Sequence, residues 1–189
     1  DHPAENGAGP KTFVLAWTTT PWTLPGNVAL AVGEEVEYVK VKIESEFFIL
    51  AKALKDKVLK DKSFEVVSEL KGKELIGKSY KPLFDYYSKD ESLANRENSW
   101  KIYGADFVTT QDGTGVVHIA PAFGSDDMEL GKKNNLPFVQ HVTKSGHFKP
   151  EVKDFAGLFV KPKDDHTKTD VEIIKHLAHN GLLFSKEKI

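Results

Sequence analysis

Two prolines, Pro21 and Pro25, stand in the segment Trp17-Thr18-Thr19-Thr20-Pro21-Trp22-Thr23-Leu24-Pro25-Gly26-Asn27. They rule out both a continuous helix and a paired central strand through it. Pro21 drives Thr20 toward an extended backbone, and Pro25-Gly26 turns the chain again. The preceding Phe13 to Trp17 has the apolar content of a short strand. The segment therefore reads as a strand end that stops in a rigid loop carrying four threonine hydroxyls, two indoles and an asparagine. Hydroxyls donate and accept hydrogen bonds but carry no charge. Such a loop suits a sugar, an ester or a water molecule better than a cation.

The rest of the chain is punctuated in the same way. Val36 to Ile43 and Phe47 to Leu50 flank the polar turn Glu44-Ser45-Glu46 and predict a hairpin. Ala51 to Leu59, with Leu54 and Val58 at helical spacing, predicts a short helix, and Phe64 to Leu70 a strand. Ile102 to Thr110 and Thr114 to Ala120 flank Gln111-Asp112-Gly113 and predict a second hairpin. A third is expected around Ser145-Gly146, from Phe138 to Val142 and His147-Phe148. Ser125 is expected to cap a short helix with Asp126 and Asp127 in its first turn. Thr169-Asp170-Val171-Glu172 has capping-box spacing. It precedes a helical face of Val171, Ile174, Leu177 and Ala178 that Asn180-Gly181 closes. Residues 80–101 show no regular pattern. Many short strands, few short helices and frequent turns predict an α+β, mainly β, chain with a β-barrel-like core and peripheral short helices. Residues 1–11, with Gly7, Gly9 and Pro10, read as a flexible linker, and residues 12–189 as a single domain large enough for a sizeable core.

Composition narrows the chemistry. The chain has no cysteine, which excludes disulfides, cysteine-ligated zinc and thiol nucleophiles and fits a cytoplasmic setting. No apolar run has the length of a membrane span, and residues 1–10 lack the apolar centre of a signal peptide. A formal net charge of −2 gives no global field for capturing duplex nucleic acid. Contact with RNA would then be confined to a short single-stranded end. His141, His147, His166, His176 and His179 show no metal-ligand spacing with acids, so no metal is expected. The pair Gly113 and Gly115 lacks a phosphate-loop fingerprint and reads as structural. Trp17 and Trp22 have the chemistry either to stack on a base or to pack in the core.

A second segment completes the pattern. Asp112-Gly113-Thr114-Gly115-Val116-Val117-His118-Ile119-Ala120-Pro121-Ala122-Phe123-Gly124-Ser125-Asp126-Asp127 runs from a Gly-rich turn through a short apolar strand into a helix start. With the threonine loop it resembles the editing domain of class I aminoacyl-tRNA synthetases for branched aliphatic amino acids. The likeness is greatest to the isoleucyl enzymes. Valyl and leucyl members carry arginine where this chain has Thr20, and lack a histidine where it has His118.

The resemblance implies a fold, a reaction and a set of roles. The editing fold is of the β-barrel-like kind. The reaction is hydrolysis of the ester joining misplaced valine to the 3′ end of tRNA(Ile), with valyl-adenylate as a further substrate. Such a second site is needed because valine and isoleucine differ by one methylene, which an apolar pocket discriminates poorly; isoleucyl enzymes are the usual example of that limit. Asp127 would anchor the α-ammonium, whereas Asp126 reads as a complement to the helix N-terminus. His118 would be the size gate that admits valine and refuses isoleucine. It also has the chemistry of a base, and a lone strand histidine is often a satisfied core residue. Thr18, Thr19, Thr20 and Thr23 would hold ribose, carbonyl and the attacking water, and Asn27 would contact substrate. No metal, cofactor or covalent intermediate is implied. The remainder of a synthetase chain would grip the tRNA, and a monomer is expected. Two other functions share these features: a valyl-type domain clearing threonine, and a non-catalytic module for the tRNA 3′ end.

Overall fold

The structure is a computed structural model that describes residues 9–187. The linker expected over residues 1–11 lies mostly outside the described residues. Seven strands, β1 (Thr12–Val14), β2 (Ala29–Val32), β3 (Glu37–Ile43), β4 (Glu46–Ala51), β5 (Glu65–Lys71), β6 (Lys101–Gly104) and β7 (Val116–Ile119), alternate with short helices. Three of these are α-helical: α1 (Lys55–Val58), α2 (Ser125–Lys133) and α3 (Lys168–His179). The strands form a four-stranded sheet in the order β1-β4-β3-β5 and a three-stranded sheet in the order β6-β2-β7. The α+β class is what the structure shows. Both sheets are open, and among the described residues no barrel closes.

The hairpin expected around Glu44 is present, with β3 antiparallel to β4 and Ile43 opposite Glu46. Glu44 takes the turn with φ of 53°. The hairpin expected around Gln111-Asp112-Gly113 is not. Its two strands, β6 and β7, lie on either side of β2. β2 is a run of four apolar residues, all buried, without the alternation that marks a half-exposed strand. The turn chemistry itself holds, since Gly113 and Gly115 both have positive φ, where a side chain would be strained. The turn around Gly146 is also as expected, with an antiparallel bridge between Val142 and Phe148.

The chain divides into two compact units. The first runs to Trp17 and takes in Val32–Ile76 and Gly104–Val117; the second takes Thr18–Ala31, Gly77–Tyr103 and the chain from His118 onward. In the first unit Val39, Val41 and Leu50 of the β3–β4 hairpin are wholly buried, and Leu54, Leu59 and Leu75 join them. Tyr38 is the unit's buried polar anchor. Its hydroxyl accepts from the Gly33 N–H at 3.1 Å and donates to the Gly115 carbonyl at 2.6 Å. Trp17, more than a third exposed, lies over Gly113, where a Cβ would come within 1.8 Å of its Nε1. Gly72 is pressed against the Gly33 carbonyl in the same fashion, a Cβ there falling 1.8 Å from that oxygen.

The second unit has its own core of Leu24, Phe84, Val142, Phe148, Val152, Phe155, Val160, Ile173 and Leu177. Helix α3 enters it through Thr169, Ile173 and Leu177, one residue in four; of the face expected from sequence Leu177 is buried and Ile174 half-buried, while Val171 and Ala178 are exposed. The expected capping box does not form either. Thr167 stands at the helix start, the Thr169 hydroxyl donates to the Phe159 carbonyl, and Asp170 accepts from the Trp22 N–H. A tertiary partner has taken the hydroxyl that would have capped, and the Glu172 carboxylate accepts from Lys175 within the helix.

Candidate functional site: a histidine locked beneath a threonine loop

Every residue picked out by the sequence for the site, Thr18, Thr19, Thr20, Thr23, Asn27, His118 and Asp127, falls within the second unit. The threonine loop ends in a short 3-10 helix, Pro21–Gly26, started by Pro21 with its φ already set. The Thr23 N–H donates to the Thr20 carbonyl, and the Asn27 N–H to that of Leu24. Trp22 fixes this turn to the rest of the unit through both sides of its peptide. Its N–H donates to Asp170 Oδ1 at 3.0 Å, and its carbonyl accepts from His141 Nε2 at 2.9 Å. His141 is fully buried between the rings of Phe123 and Phe148. Its Nδ1 lies against Gly26, where a Cβ would approach within 2.5 Å, so the turn's last residue has room for glycine alone. Trp22 packs edge-on against Phe123, which makes it a core ring here.

Beneath the loop sits His118, buried and bonded at both ring nitrogens. Asn27 Nδ2 lies 2.8 Å from Nδ1, and Thr23 Oγ1 lies 3.0 Å from Nε2. An amide NH₂ only donates, so Nδ1 accepts and the ring proton resides on Nε2. The Nε2–H then donates to Thr23 Oγ1, whose own hydrogen goes to the Thr20 carbonyl at 2.9 Å. The bonds run in one direction, from Asn27 through His118 and Thr23 into the loop. His118 therefore has no lone pair free to take a proton from water. Burial, with His141 nearby, holds its pKa down to about 3. It is a neutral wall at physiological pH.

Above this chain the Thr18 hydroxyl accepts from the Thr20 N–H at 3.0 Å and lies 3.3 Å from the Thr20 hydroxyl. Thr18 and Thr20 are half-buried, while Thr19 is exposed. Thr23 is nearly sealed, with its hydroxyl engaged as donor and as acceptor.

Asp127 occupies the first turn of α2. The helix cap is Gly124, extended at φ −154° and ψ 144°, and not Ser125 as expected, which is already helical. Asp127 Oδ2 accepts from the Ala120 N–H at 2.8 Å, two residues beyond His118. Its Oδ1 lies beside Gly124, where a Cβ would come within 2.9 Å. The carboxyl is half-buried, and burial raises its pKa while the Ala120 N–H opposes that rise. Among the described residues no group of three or more acids or histidines is placed to hold a metal ion, and no helix is long and apolar enough to cross a membrane.

Sequence reading missed four residues that shape the site: His141 and Asp170, which hold the loop, and Tyr80 and Trp100, which hold Asn27. None carries a local signal, because each meets its partner across a long stretch of chain.

The two buried histidines make a stability prediction. Burial holds His118 at about 3 and His141 at about 4. Both lie below the unfolded value of about 6.5, so the unfolded chain binds more protons in between. Their stabilisation is whole above about pH 6.5 and is lost as pH falls toward 4. Denaturant unfolding should show a slope approaching about 2.7 kcal/mol per pH unit from the two groups near pH 5. Asp127 and Asp170, raised by burial, act in the opposite sense nearer the carboxylate range. His141→Gln should halve the slope; an unchanged slope would show that the ring titrates normally in the fold.

The fold is shared by the crystal structure of GlLeuRS-CP1, which matches with a TM-score of 0.50 at 19% identity, covering 64% of this chain and 43% of that one. No family model matches the chain. Its sequence is 46% identical over 176 residues to an isoleucine–tRNA ligase of Clostridium acetobutylicum, which covers 93% of this chain. It is 44% identical over 184 residues to that of Bdellovibrio bacteriovorus, covering 95%. The chain belongs to the isoleucine–tRNA ligase family. It spans 16% of the length of each of these two relatives.

Proposed function

We propose that this chain is the editing domain of an isoleucyl-tRNA synthetase and hydrolyses the ester of valine misattached to tRNA(Ile), in the cytoplasm and alongside the rest of the synthetase. Valyl-adenylate is a second substrate of the same site. The observation that carries this reading is the pairing of a charge-silent wall with a carboxylate. His118 is neutral and fully bonded, and Asp127 lies at the end of the same strand, held by the Ala120 N–H. Family membership supports the reading.

The roles follow from what each group has free. Asp127 meets the α-ammonium with the lone pairs that Ala120 leaves open. The imidazole edge of His118 sets the depth of the pocket for the side chain. Thr18, Thr19 and Thr20 hold the ribose, the carbonyl and a water. Thr23 and Asn27 act on substrate by holding His118. The water oxygen adds to the ester carbonyl carbon, and the bond to the ribose oxygen breaks. That oxygen leaves with a proton, and valine departs as the free acid. A threonine hydroxyl is a poor base, so the rate comes from placing the water and not from strong proton abstraction.

Shape must do the selecting, because one buried methylene is worth only about 0.8 kcal/mol by attraction. With valyl- and isoleucyl-tRNA(Ile) as substrates, the valyl ester should be hydrolysed at least tenfold faster. His118→Ala should bring the isoleucyl ester within threefold of it. Binding of a non-hydrolysable valyl-adenosine analogue without turnover of the ester would make the chain a 3′-end binding module. Faster clearance of a threonyl ester would make it a valyl-type domain.

A further inference from the structure

Asn27 links His118 Nδ1 to the segment 80–101 for which the sequence shows no pattern, and both of its oxygens are taken from there. The Tyr80 hydroxyl donates to Asn27 Oδ1 at 2.5 Å. The Trp100 indole N–H donates to the Asn27 backbone carbonyl at 3.1 Å. Asn27 Nδ2 then has two acceptors in front of it, the Ala29 carbonyl at 2.9 Å and His118 Nδ1 at 2.8 Å. All of these groups belong to the second unit.

We propose that Tyr80 and Trp100 are positioning residues that clamp the two oxygens of Asn27 and thereby fix the tautomer of His118. The two ends of an amide side chain are alike in shape and differ only in what they donate or accept. Tyr80 supplies the hydrogen that calls for oxygen at one end, and the Ala29 carbonyl calls for nitrogen at the other. The buried tyrosine donates rather than ionises, since burial raises its pKa well above the usual value. With the amide so oriented, Nδ1 of the histidine is an acceptor and Nε2 carries the hydrogen. Thr23 is then obliged to send its own hydrogen into the loop at Thr20. A turned amide would present oxygen to Nδ1, move the ring proton there, and draw the Thr23 hydroxyl hydrogen from the Thr20 carbonyl to Nε2. Trp100 contributes by fixing the backbone on which the amide turns. The Trp100 backbone, at φ 53°, is in a conformation that bulky residues rarely adopt, and its N–H donates to the Val28 carbonyl next to Asn27. The effect on substrate selection rests on the editing reading above; the effect on the tautomer does not.

The test is a ¹⁵N long-range correlation spectrum of the histidine rings in the whole chain, with hydrolysis of both esters measured alongside. In the unaltered chain His118 should show a protonated Nε2 and an unprotonated Nδ1. Tyr80→Phe keeps the ring and removes the donor. Its His118 nitrogen shifts should move toward each other as the second tautomer is populated, and the preference for the valyl ester should fall at least threefold. Asn27→Asp replaces the donor to Nδ1 by an acceptor, and should place the proton on Nδ1. Tyr86→Phe is the control, because that hydroxyl donates to the Asp154 carboxylate, and it should change neither readout. An unchanged tautomer in both Tyr80→Phe and Asn27→Asp overturns the proposal. A shifted tautomer in a chain that hydrolyses neither ester upholds the clamp and overturns the editing reading.

Discussion

Asp127→Ala should abolish ester hydrolysis while leaving a folded chain. Removing one partner from a largely desolvated charge pair costs about 2–4 kcal/mol, which is roughly a 30- to 1,000-fold loss in kcat/KM. The carboxylate also has a local duty, because its Oδ2 accepts from the Ala120 N–H where strand β7 gives way to the turn before α2. Asp127→Asn separates the two roles. The amide oxygen can still accept from Ala120, but the charge that would meet an ammonium is gone. Hydrolysis lost in both variants assigns the effect to charge. Hydrolysis lost in Asp127→Ala and kept in Asp127→Asn would make Asp127 a turn residue and remove it from the substrate. The comparison is made on kcat/KM with valyl-tRNA(Ile), with thermal unfolding of each variant as the check on folding.

Gly72→Ala should cost the chain about 3 kcal/mol or more. A Cβ at this position would lie 1.8 Å from the Gly33 carbonyl oxygen and 3.1 Å from the Tyr38 ring. Neither neighbour can yield by a rotamer change. Gly33 is held by its own N–H to the Tyr38 hydroxyl, and Gly72 by its N–H to the Val36 carbonyl at 2.9 Å. Two backbone segments would have to part, and the buried hydroxyl of Tyr38 would lose its geometry toward the Gly115 carbonyl. Urea unfolding reads the difference. A loss under about 1 kcal/mol would mean that the two segments separate freely.

The threonine loop was legible because its instructions are local: Pro21 sets the backbone at the head of the turn, and Pro25-Gly26 closes it. The β3–β4 hairpin and the stop at Asn180-Gly181 were legible for the same reason. Strand β2 was not, because a run buried on both faces has no period to detect. Once β2 is placed, the Gln111-Asp112-Gly113 turn joins strands that are not neighbours, which its own chemistry cannot reveal. The helix starts failed differently. Thr169 and Asp170 have the right types for a cap and are used elsewhere, by partners 10 and 148 residues away in the chain. At the candidate site the residue types were readable and their wiring was not. His118 stands out in a strand, but that Asn27 and Thr23 take both its nitrogens is a fact of three dimensions.

The division of the chain into two units has a consequence for its synthesis. The path passes from one unit to the other after Trp17, Ala31, Ile76, Tyr103 and Val117. Neither unit is a contiguous stretch that a ribosome could deliver complete while the other waits. The first cannot gather its last segment until Val117 has emerged, and by then much of the second is already made. Sequential folding, N-terminal unit first, is the habit of beads-on-a-string proteins, and this weave denies it. Pairings between distant segments close long loops before they gain stability, which slows folding. The same weave sets the rule for dissecting the molecule: a cut anywhere between Thr18 and Val117 yields two pieces that each hold parts of both units.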